Sequence, residues 1–268
     1  MVINFKKKNI FSIILFILLC EILFLGMQLF LLKILNVEKE VARAIFYVIK
    51  IIFLTSMLKV INKREIIKWD KNNFINGLKI GTPLLIYCII FALFSILSTD
   101  SFKLNSPMHI IYWFLVYLVG AGFIEELEAR GYIINMFDDY KRLNNKKNII
   151  SACMLSAILF GSLHILNVLG SGEIPVAQMI MATGLGLVLS AIYIRSKSLW
   201  AVACIHGIWD ISLSIDNILF INEITNKTTV NSSSKIIFAV IMIIPLILIF
   251  LFMMRKKKID EFLLEQSK

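Results

Sequence analysis

Residues 108–137, MHIIYWFLVYLVGAGFIEELEARGYIINMF, form a mostly apolar run of thirty residues with four charged residues in its second half. A membrane-spanning helix needs roughly 20 mostly apolar residues, so the run is long enough to cross a bilayer. Each charge that faces hydrocarbon costs about 2.5 to 3.5 kcal/mol, and four would cost on the order of 10 to 14 kcal/mol. The charges must therefore face a polar interior, which predicts a bundle of several helices.

The composition of the whole chain agrees with a membrane protein. Of its 268 residues, 59% are hydrophobic and 17% are charged, whereas soluble domains are about half apolar and a quarter charged. Other apolar runs also lack the polar face of a soluble helix. We predict an all-α, polytopic membrane helix bundle of about eight transmembrane helices, in one integral membrane domain over residues 1–268. The predicted spans are 10–34, 42–60, 80–97, 108–137, 149–169, 174–194, 199–215 and 236–254.

The basic residues predict the orientation of the bundle. The formal net charge of +10 is compatible with a nucleic-acid partner, but the Lys and Arg residues lie in short loops between apolar runs, where they set topology. The loops at 59–79 and 141–147 and the two chain ends hold most of them. We therefore predict that both termini are cytoplasmic, exclude a nucleic-acid partner, and expect the polar segment 225–234 to be an outward-facing loop.

Three carboxylates and an arginine lie on the 108–137 run. Glu126 and Arg130 are four residues apart, so their side chains can pair along a helix and neutralise each other. Glu125 is rotated by one residue around the helix axis. Glu125 is therefore the candidate acid that stays free for chemistry.

Two further spans contribute histidines and an aspartate. His164 ends the sequence Phe160-Gly-Ser-Leu-His164, and His206 begins the sequence His206-Gly-Ile-Trp-Asp210, whose two ends share a helical face. A single intramembrane histidine is about as often a partner in a helix-to-helix hydrogen bond as a catalyst. Three helices that together bring a glutamate pair, two histidines and an aspartate form a set suited to activating water. The combination favours a catalytic site.

Other polar residues within predicted spans favour structural roles. Glu21 and Lys50 have no polar neighbours at helical spacing, so we expect them to pair with each other or to lie near a membrane interface. His109 begins the fourth span on its outer side and is expected to be solvated.

The three motifs together resemble the signatures of a known family. Glu125-Glu126-x-x-x-Arg130, Phe160-x-x-x-His164 and His206-x-x-x-Asp210 occur in this order on successive hydrophobic runs. The pattern is similar to that of the CPBP family of CAAX proteases and bacteriocin-processing proteins, also called Abi proteins, which include the eukaryotic prenyl-protein endopeptidases. The resemblance covers residues 108–216, which we predict to be the catalytic core.

The resemblance implies an intramembrane endopeptidase. Glu125 would act as general base on a water molecule oriented by His164. The equivalents of His206 and Asp210 would stabilise the oxyanion of the tetrahedral intermediate.

Members of the family are often described as metalloproteases, and the residues leave the metal question open. Two histidines and a carboxylate can bind zinc with an open fourth position. Glu125, His164, His206 and Asp210 are the candidate ligands. The same residues can also work as a metal-free acid–base set, which we favour.

The resemblance gives Glu126 and Arg130 the role of holding the site together, and two positions beside them depart from the family pattern. Ala129 stands where an aromatic residue is usual, and Glu128 stands where an apolar residue is common. These differences would widen the cavity or alter its charge.

Asp210 also differs from the prenyl-protein proteases, which carry asparagine there, although bacterial relatives accept either residue. An ionised carboxylate cannot donate a hydrogen bond to an oxyanion, whereas an asparagine amide can. Three roles stay open for Asp210: it is protonated, it orients His206, or it ligates a metal.

Two other functions compete with the protease. Abi-type scaffolds that regulate a partner membrane protein typically lack motif residues, whereas this chain keeps all of them. Proton-coupled transporters also contain buried carboxylates and histidines, but the sequence shows no inverted repeats or paired broken helices.

The substrate and location are expectations at family level. The Lys-, Ile- and Asn-rich composition is typical of an AT-rich bacterial genome, which predicts the bacterial cytoplasmic membrane, where prenylated proteins are not expected. We therefore expect a peptide or membrane-associated substrate, such as a bacteriocin or pheromone leader, or a role in self-immunity.

Overall fold

The computed structural model describes residues 10–35, 37–99, 102–168, 174–221 and 231–266, and these ranges contain nine helices and no strand beyond one isolated bridge between Leu104 and Phe220. The prediction of an all-α bundle is confirmed. Helices α1 to α9 span Ile10–Lys33, Lys39–Val60, Lys71–Leu97, Pro107–Asp138, Lys146–Leu163, Val176–Ser196, Leu199–Leu219, Ser232–Met253 and Lys256–Gln266.

Seven of these helices, α2 to α8, are long and apolar enough to cross a membrane. They coincide with seven of the predicted spans, and the chain is a multi-pass membrane protein. The remaining predicted span, 10–34, coincides with α1, a helix of 24 residues that is not one of the seven. The cytoplasmic location of both termini stays a prediction.

The largest boundary error concerns α3, which begins at Lys71 and not at residue 80. The Asp70 side chain caps this helix by accepting a hydrogen bond from the backbone N–H of Asn73 at 2.8 Å. The first turns are polar, so hydropathy alone places them in a loop. Lys71 and Lys79 therefore lie on a helix, and not in the predicted loop.

The expected outward loop at 225–234 lies largely outside the described residues. Its last part is helical, because α8 begins at Ser232 and the Asn231 side chain accepts a hydrogen bond from the backbone N–H of Ser233. The prediction of a loop is wrong for residues 232–234.

Helices α6 and α7 form the centre of the bundle. In the most apolar 18-residue stretch of each helix, 61% of the residues of α6 and 56% of those of α7 are buried. The corresponding share is 22% or less in α2, α3 and α8. Helix α7 packs against α3 and α4, and α6 packs against α5 and α8. Large apolar side chains on the outer helices, such as Leu23, Phe94 and Leu248, are exposed, as expected for a surface that faces lipid.

Two glycines bring α4 and α7 into close contact. A Cβ atom at Gly122 would lie 2.5 Å from the carbonyl oxygen of Ala203, and one at Gly207 would lie 3.0 Å from the Cα atom of Leu118. Small residues of this kind allow helix backbones to approach each other in membranes. The close approach places the middle of α7 beside the charged motif of α4.

Candidate active site

Helix α4 changes its geometry where it carries the motif. Residues Pro107–Leu115 are α-helical, whereas Val116–Glu125 and Leu127–Ile134 are π-helical. A π-helix closes its hydrogen bonds from residue i to residue i+5 and is rare, and short π segments frequently occur at functional sites. The sequence pattern predicted a helix here but not its wider turns.

Glu126 lies in a buried cluster of charges where α4, α6 and α7 meet. Its Oε1 atom accepts hydrogen bonds from Arg130 Nη1 at 2.6 Å and from His206 Nδ1 at 2.8 Å. Arg130 also donates from Nη2 to the carbonyl oxygen of Gly186 on α6 at 2.8 Å. The Glu126–Arg130 pair expected from the spacing is therefore present, and it links three helices.

His206 lies between two carboxyl groups. While Nδ1 contacts Glu126, Nε2 lies 3.7 Å from Asp210 Oδ2, which is longer than a direct hydrogen bond. An ionised carboxylate only accepts hydrogen bonds, so Nδ1 carries a proton. When His206 is an imidazolium, the charges of Glu126, Arg130, His206 and Asp210 sum to zero. Such a balance is what a buried cluster requires, because an uncompensated charge there is costly.

His164 lies where α5 tightens into the 3₁₀ turn His164–Asn167. Its Nδ1 atom is 3.0 Å from the carbonyl oxygen of Phe160. Because a carbonyl only accepts, Nδ1–H donates, and Nε2 of the neutral ring keeps a lone pair. Hydrogen bonding within α5 thus prepares the Nε2 atom of His164 as an acceptor.

The ring of Phe160 separates the two motif histidines. It lies edge-on to both, with centroid distances of 5.1 Å to His164 and 5.6 Å to His206. The guanidinium carbon of Arg130 lies 5.0 Å from the same centroid. The sequence predicted no role for Phe160 beyond its place in the motif. Residue spacing along α5 cannot predict that Phe160 contacts Arg130 on α4 and His206 on α7.

Glu125 and His164 line the same pocket, which has a volume of about 280 Å³. The pocket lies between α1, α2, α4, the end of α5 and the start of α6, and most of the side chains around it are polar. Glu125 is half-buried, and no residue in the described ranges donates a hydrogen bond to its carboxylate. His206 and Asp210 are not among the pocket's described lining residues. The predicted site residues therefore fall into two adjoining groups.

The pocket also contains an ion cluster that sequence reasoning found only in part. Lys50 Nζ lies 2.8 Å from Glu21 Oε1 and 3.0 Å from Glu128 Oε1. The expected Glu21–Lys50 pair is present. The participation of Glu128 was missed, because helical spacing identifies contacts within one helix and this cluster joins three.

His109 lies apart from the site, at the start of α4. It is half-buried and packs near the ring of Trp113, at a centroid distance of 6.3 Å. The two residues line a different cavity with Tyr117 and Asn217.

The arrangement does not form a ready metal site. Across the part of the chain that the structure describes, no three His, Cys, Asp or Glu side chains are placed to hold a metal ion. Of the four candidate ligands, Glu125 and His164 lie at the pocket, whereas His206 and Asp210 belong to the buried cluster. The described positions of these four side chains do not fit zinc, and the metal-free acid–base set stays a prediction that a chelator can test.

The sequence of this region matches a known family model. Residues 107–212 match the model described as type II CAAX prenyl endopeptidase Rce1-like. The resemblance to the CPBP family is thereby confirmed. The match contains all three motifs, whereas α1, α2, α3, α8 and α9 lie outside it. No curated protein shows significant similarity to the chain.

Proposed function

We propose that the chain is an intramembrane endopeptidase of the CAAX-protease type, in which Glu125 and His164 activate water. The observation that carries the proposal is the different environment of two adjacent glutamates. Glu126 is committed to Arg130 and His206, whereas Glu125 faces the pocket beside His164. The family match supports the protease class, and the geometry supports the choice of Glu125 as the base.

Two hydrogen-bond acceptors would orient the attacking water. An ionised Glu125 and the Nε2 atom of a neutral His164 both accept, so a water that donates to both directs a lone pair toward a peptide carbonyl. As the oxygen–carbon bond forms, one water proton passes to Glu125. The same proton then passes to the departing amine as the carbon–nitrogen bond breaks, so that Glu125 returns to its ionised form.

His206 would stabilise the oxyanion of the tetrahedral intermediate. Its Nδ1–H is held by Glu126, so the opposite Nε2–H of the imidazolium is the donor for substrate. Asp210 Oδ2 lies 3.7 Å from Nε2 of the same ring, beyond a direct hydrogen bond, so Asp210 would balance the charge of the imidazolium without fixing the orientation of the ring. A peptide bound against Phe160 would lie within reach of both histidines.

The polar pocket suits a peptide substrate. Peptide groups lose their hydrogen bonds to water on entering a membrane, and polar side chains can replace these bonds. A bacteriocin or pheromone leader peptide, or a peptide against which the cell must protect itself, fits this chemistry. We place the enzyme in a bacterial cytoplasmic membrane on the basis of the composition alone.

Peptidase activity of the purified protein in liposomes tests the proposal. Wild type, Glu125→Ala and His164→Ala would be compared on a library of fluorogenic and leader-type peptides, with and without a chelator. Exposed Glu40 on α2 provides the matched control Glu40→Ala. We expect both site variants to lose about 100-fold or more in rate, as for the loss of a general base. The control should keep its activity, and the chelator should have no effect.

The other outcomes have definite meanings. Loss of activity with the chelator would assign a metal to the candidate ligands. Folded site variants that behave as wild type would contradict the protease and favour an Abi-type scaffold that regulates a partner membrane protein.

A further inference from the structure

The pocket that contains Glu125 has two different ends. One end lies near the middle of the bundle, where its lining residues Lys50 and Glu128 are buried. The other end, which we call the mouth, is lined by Gln28 near the end of α1, Arg43 in the second turn of α2, Asn167 after α5 and Gln178 in the first turn of α6. Asn167 and Gln178 are exposed, so the mouth is the open end of the pocket.

The buried end of the pocket is closed by contacts between helices. Lys50 Nζ lies 2.8 Å from Glu21 Oε1 and 3.0 Å from Glu128 Oε1, which joins α1, α2 and α4 across the bottom of the pocket. One turn further along α2 and α4, the Tyr132 hydroxyl donates to the carbonyl oxygen of Leu54 at 2.5 Å, and both residues are buried. These two layers separate Glu125 from the face of the membrane opposite the mouth.

All four mouth residues lie toward the same face of the membrane. Successive spans cross a bilayer in opposite directions, so the connections before α2 and between α5 and α6, beside which these residues lie, share a face with the α3–α4 and α7–α8 connections. Arg43 donates from Nη1 to the hydroxyl oxygen of Tyr112 at 3.2 Å, and its guanidinium carbon lies 5.0 Å from the centroid of the Trp113 ring. Tyr and Trp are enriched at membrane–water interfaces, which places the mouth at the membrane surface.

Basic residues mark the opposite face. The connections α2–α3, α4–α5 and α6–α7, together with the segment after α8, contain Lys63, Arg64, Lys68, Lys141, Arg142, Lys197 and the basic run at 255–258. The connections on the face of the mouth contain Lys103 and Lys227. Short loops with an excess of Lys and Arg stay in the cytoplasm. This bias predicts that the mouth faces away from the cytoplasm.

The side chains of the mouth can recognise peptide groups. Asn167 Nδ2 donates to Gln178 Oε1 at 2.9 Å, so two of the amides lie side by side where α5 ends and α6 begins. Gln28 adds a third amide from α1. Each amide both donates and accepts hydrogen bonds, as a peptide group does, so the mouth can hold an extended peptide without selecting its charge.

We propose that the pocket opens on the extracytoplasmic face of the membrane, and that its substrate is a peptide that has already been exported. The inference rests on the proposed function, since it names the substrate class of the same site. A transport reaction must supply this peptide, and the cleaved products leave on the outer side. A protein that stays in the cytoplasm would meet the closed end of the pocket.

Labelling of single cysteines tests the orientation without any need for peptidase activity. Gln178→Cys places a thiol at the mouth, and Asn144→Cys, an exposed amide position between α4 and α5, is the matched control on the basic face. Asn167→Cys repeats the test at a second mouth position. The four native cysteines lie within helices α1, α3, α5 and α7, so the unsubstituted protein gives the background.

The reagent is a sulfonated maleimide that does not cross membranes, applied to sealed right-side-out and inside-out vesicles. We expect Gln178→Cys and Asn167→Cys to react in right-side-out vesicles and Asn144→Cys to react in inside-out vesicles. Detergent should make all three positions reactive.

Peptide cleavage in the same two kinds of vesicle tests the substrate class. Wild-type vesicles would receive a charged fluorogenic peptide that the purified protein cleaves and that does not cross the membrane. Vesicles with Glu125→Ala give the background from other proteases. We expect cleavage in right-side-out vesicles at once, and in inside-out vesicles only after detergent opens them.

Two results would overturn the inference. One is labelling of the mouth cysteines in inside-out vesicles only, because the pocket would then open to the cytoplasm. The other is the expected labelling together with cleavage confined to sealed inside-out vesicles, because the substrate would then enter from the basic face. Expected labelling with no cleavage, even in detergent, would instead reject the proposed function and retain the outward-facing pocket.

Discussion

Glu125 and Glu126 are adjacent in sequence, yet they face different parts of the molecule. Glu126 is fully buried and its Oε1 atom is shared by Arg130 and His206. Glu125 is half-buried and opens onto a polar pocket with His164. The comparison teaches that one short motif places two glutamates in different environments: Glu126 and its partner Arg130 connect three helices, and Glu125 opens onto the pocket where we propose that it acts.

This division separates stability from activity. Changes on the side of Glu126 should first weaken the fold, because they leave buried charges without partners. Changes on the side of Glu125 should reduce the rate and leave the fold intact. The first two predictions below compare a residue of the buried cluster, or of the contact that builds it, with a matched change elsewhere, and the third concerns the edge of the cluster.

The largest effect on stability should follow the loss of Arg130. Arg130→Met leaves the carboxylate of Glu126 buried with His206 as its remaining donor, and we expect a loss of about 3 to 5 kcal/mol in the free energy of unfolding. Arg43→Met, at the pocket rim, should cost about 1 kcal/mol or less. Thermal unfolding of both variants in detergent checks the difference. Equal losses would mean that the buried cluster has no special structural role.

A smaller loss should follow a methyl group placed between α4 and α7. The Cβ atom of Gly122→Ala would lie 2.5 Å from the Ala203 carbonyl oxygen, so the helices must separate, at a cost of about 1 to 3 kcal/mol. Gly26→Ala on α1 meets no atom within 4 Å and should not destabilise the protein. The unfolding temperatures of the two variants, measured together, provide the test. A stable and active Gly122→Ala would show that the close approach is not needed.

The smallest effect is expected at Asp210, at the edge of the cluster. Asparagine keeps the shape of the side chain, and its amide can itself donate to an oxyanion. We expect Asp210→Asn to keep kcat within about tenfold of wild type, a change of roughly 1.4 kcal/mol in the activation free energy. The rate of peptide cleavage measures this directly. A completely inactive but folded variant would point to metal ligation by Asp210 or to orientation of His206 by its carboxylate.

The sequence predicted the helical bundle and the contacts that follow from spacing along one helix. Long apolar runs identify the spans, and the four-residue spacings anticipated that Glu126 reaches Arg130 and that His206 and Asp210 share a face. Helix boundaries were predicted wrongly where a helix begins with polar residues. The first turns of α3 are polar, so they resemble a loop in the sequence, yet Asp70 caps them as part of the helix.

Most contacts between helices could not be predicted from the sequence. The hydrogen bond from His206 to Glu126 depends on how closely α4 and α7 pack, and the third member of the Glu21–Lys50–Glu128 cluster depends on the placement of α1 and α2 against α4. The π-helical turns of α4 were also not predictable, since no spacing in the motif requires them. A single sequence carries periodicity within elements but little information on how they pack.

The central claim, that Glu125 performs the chemistry and Glu126 holds the structure, is tested most directly by measuring Tm and kcat for Glu125→Gln and Glu126→Gln side by side. The account predicts that Glu125→Gln keeps the wild-type Tm while kcat falls about 100-fold or more. Glu126→Gln should lower Tm by several degrees, because it removes the negative charge between Arg130 and His206. A Glu125→Gln variant with near wild-type kcat, or a Glu126→Gln variant with unchanged Tm, would contradict it.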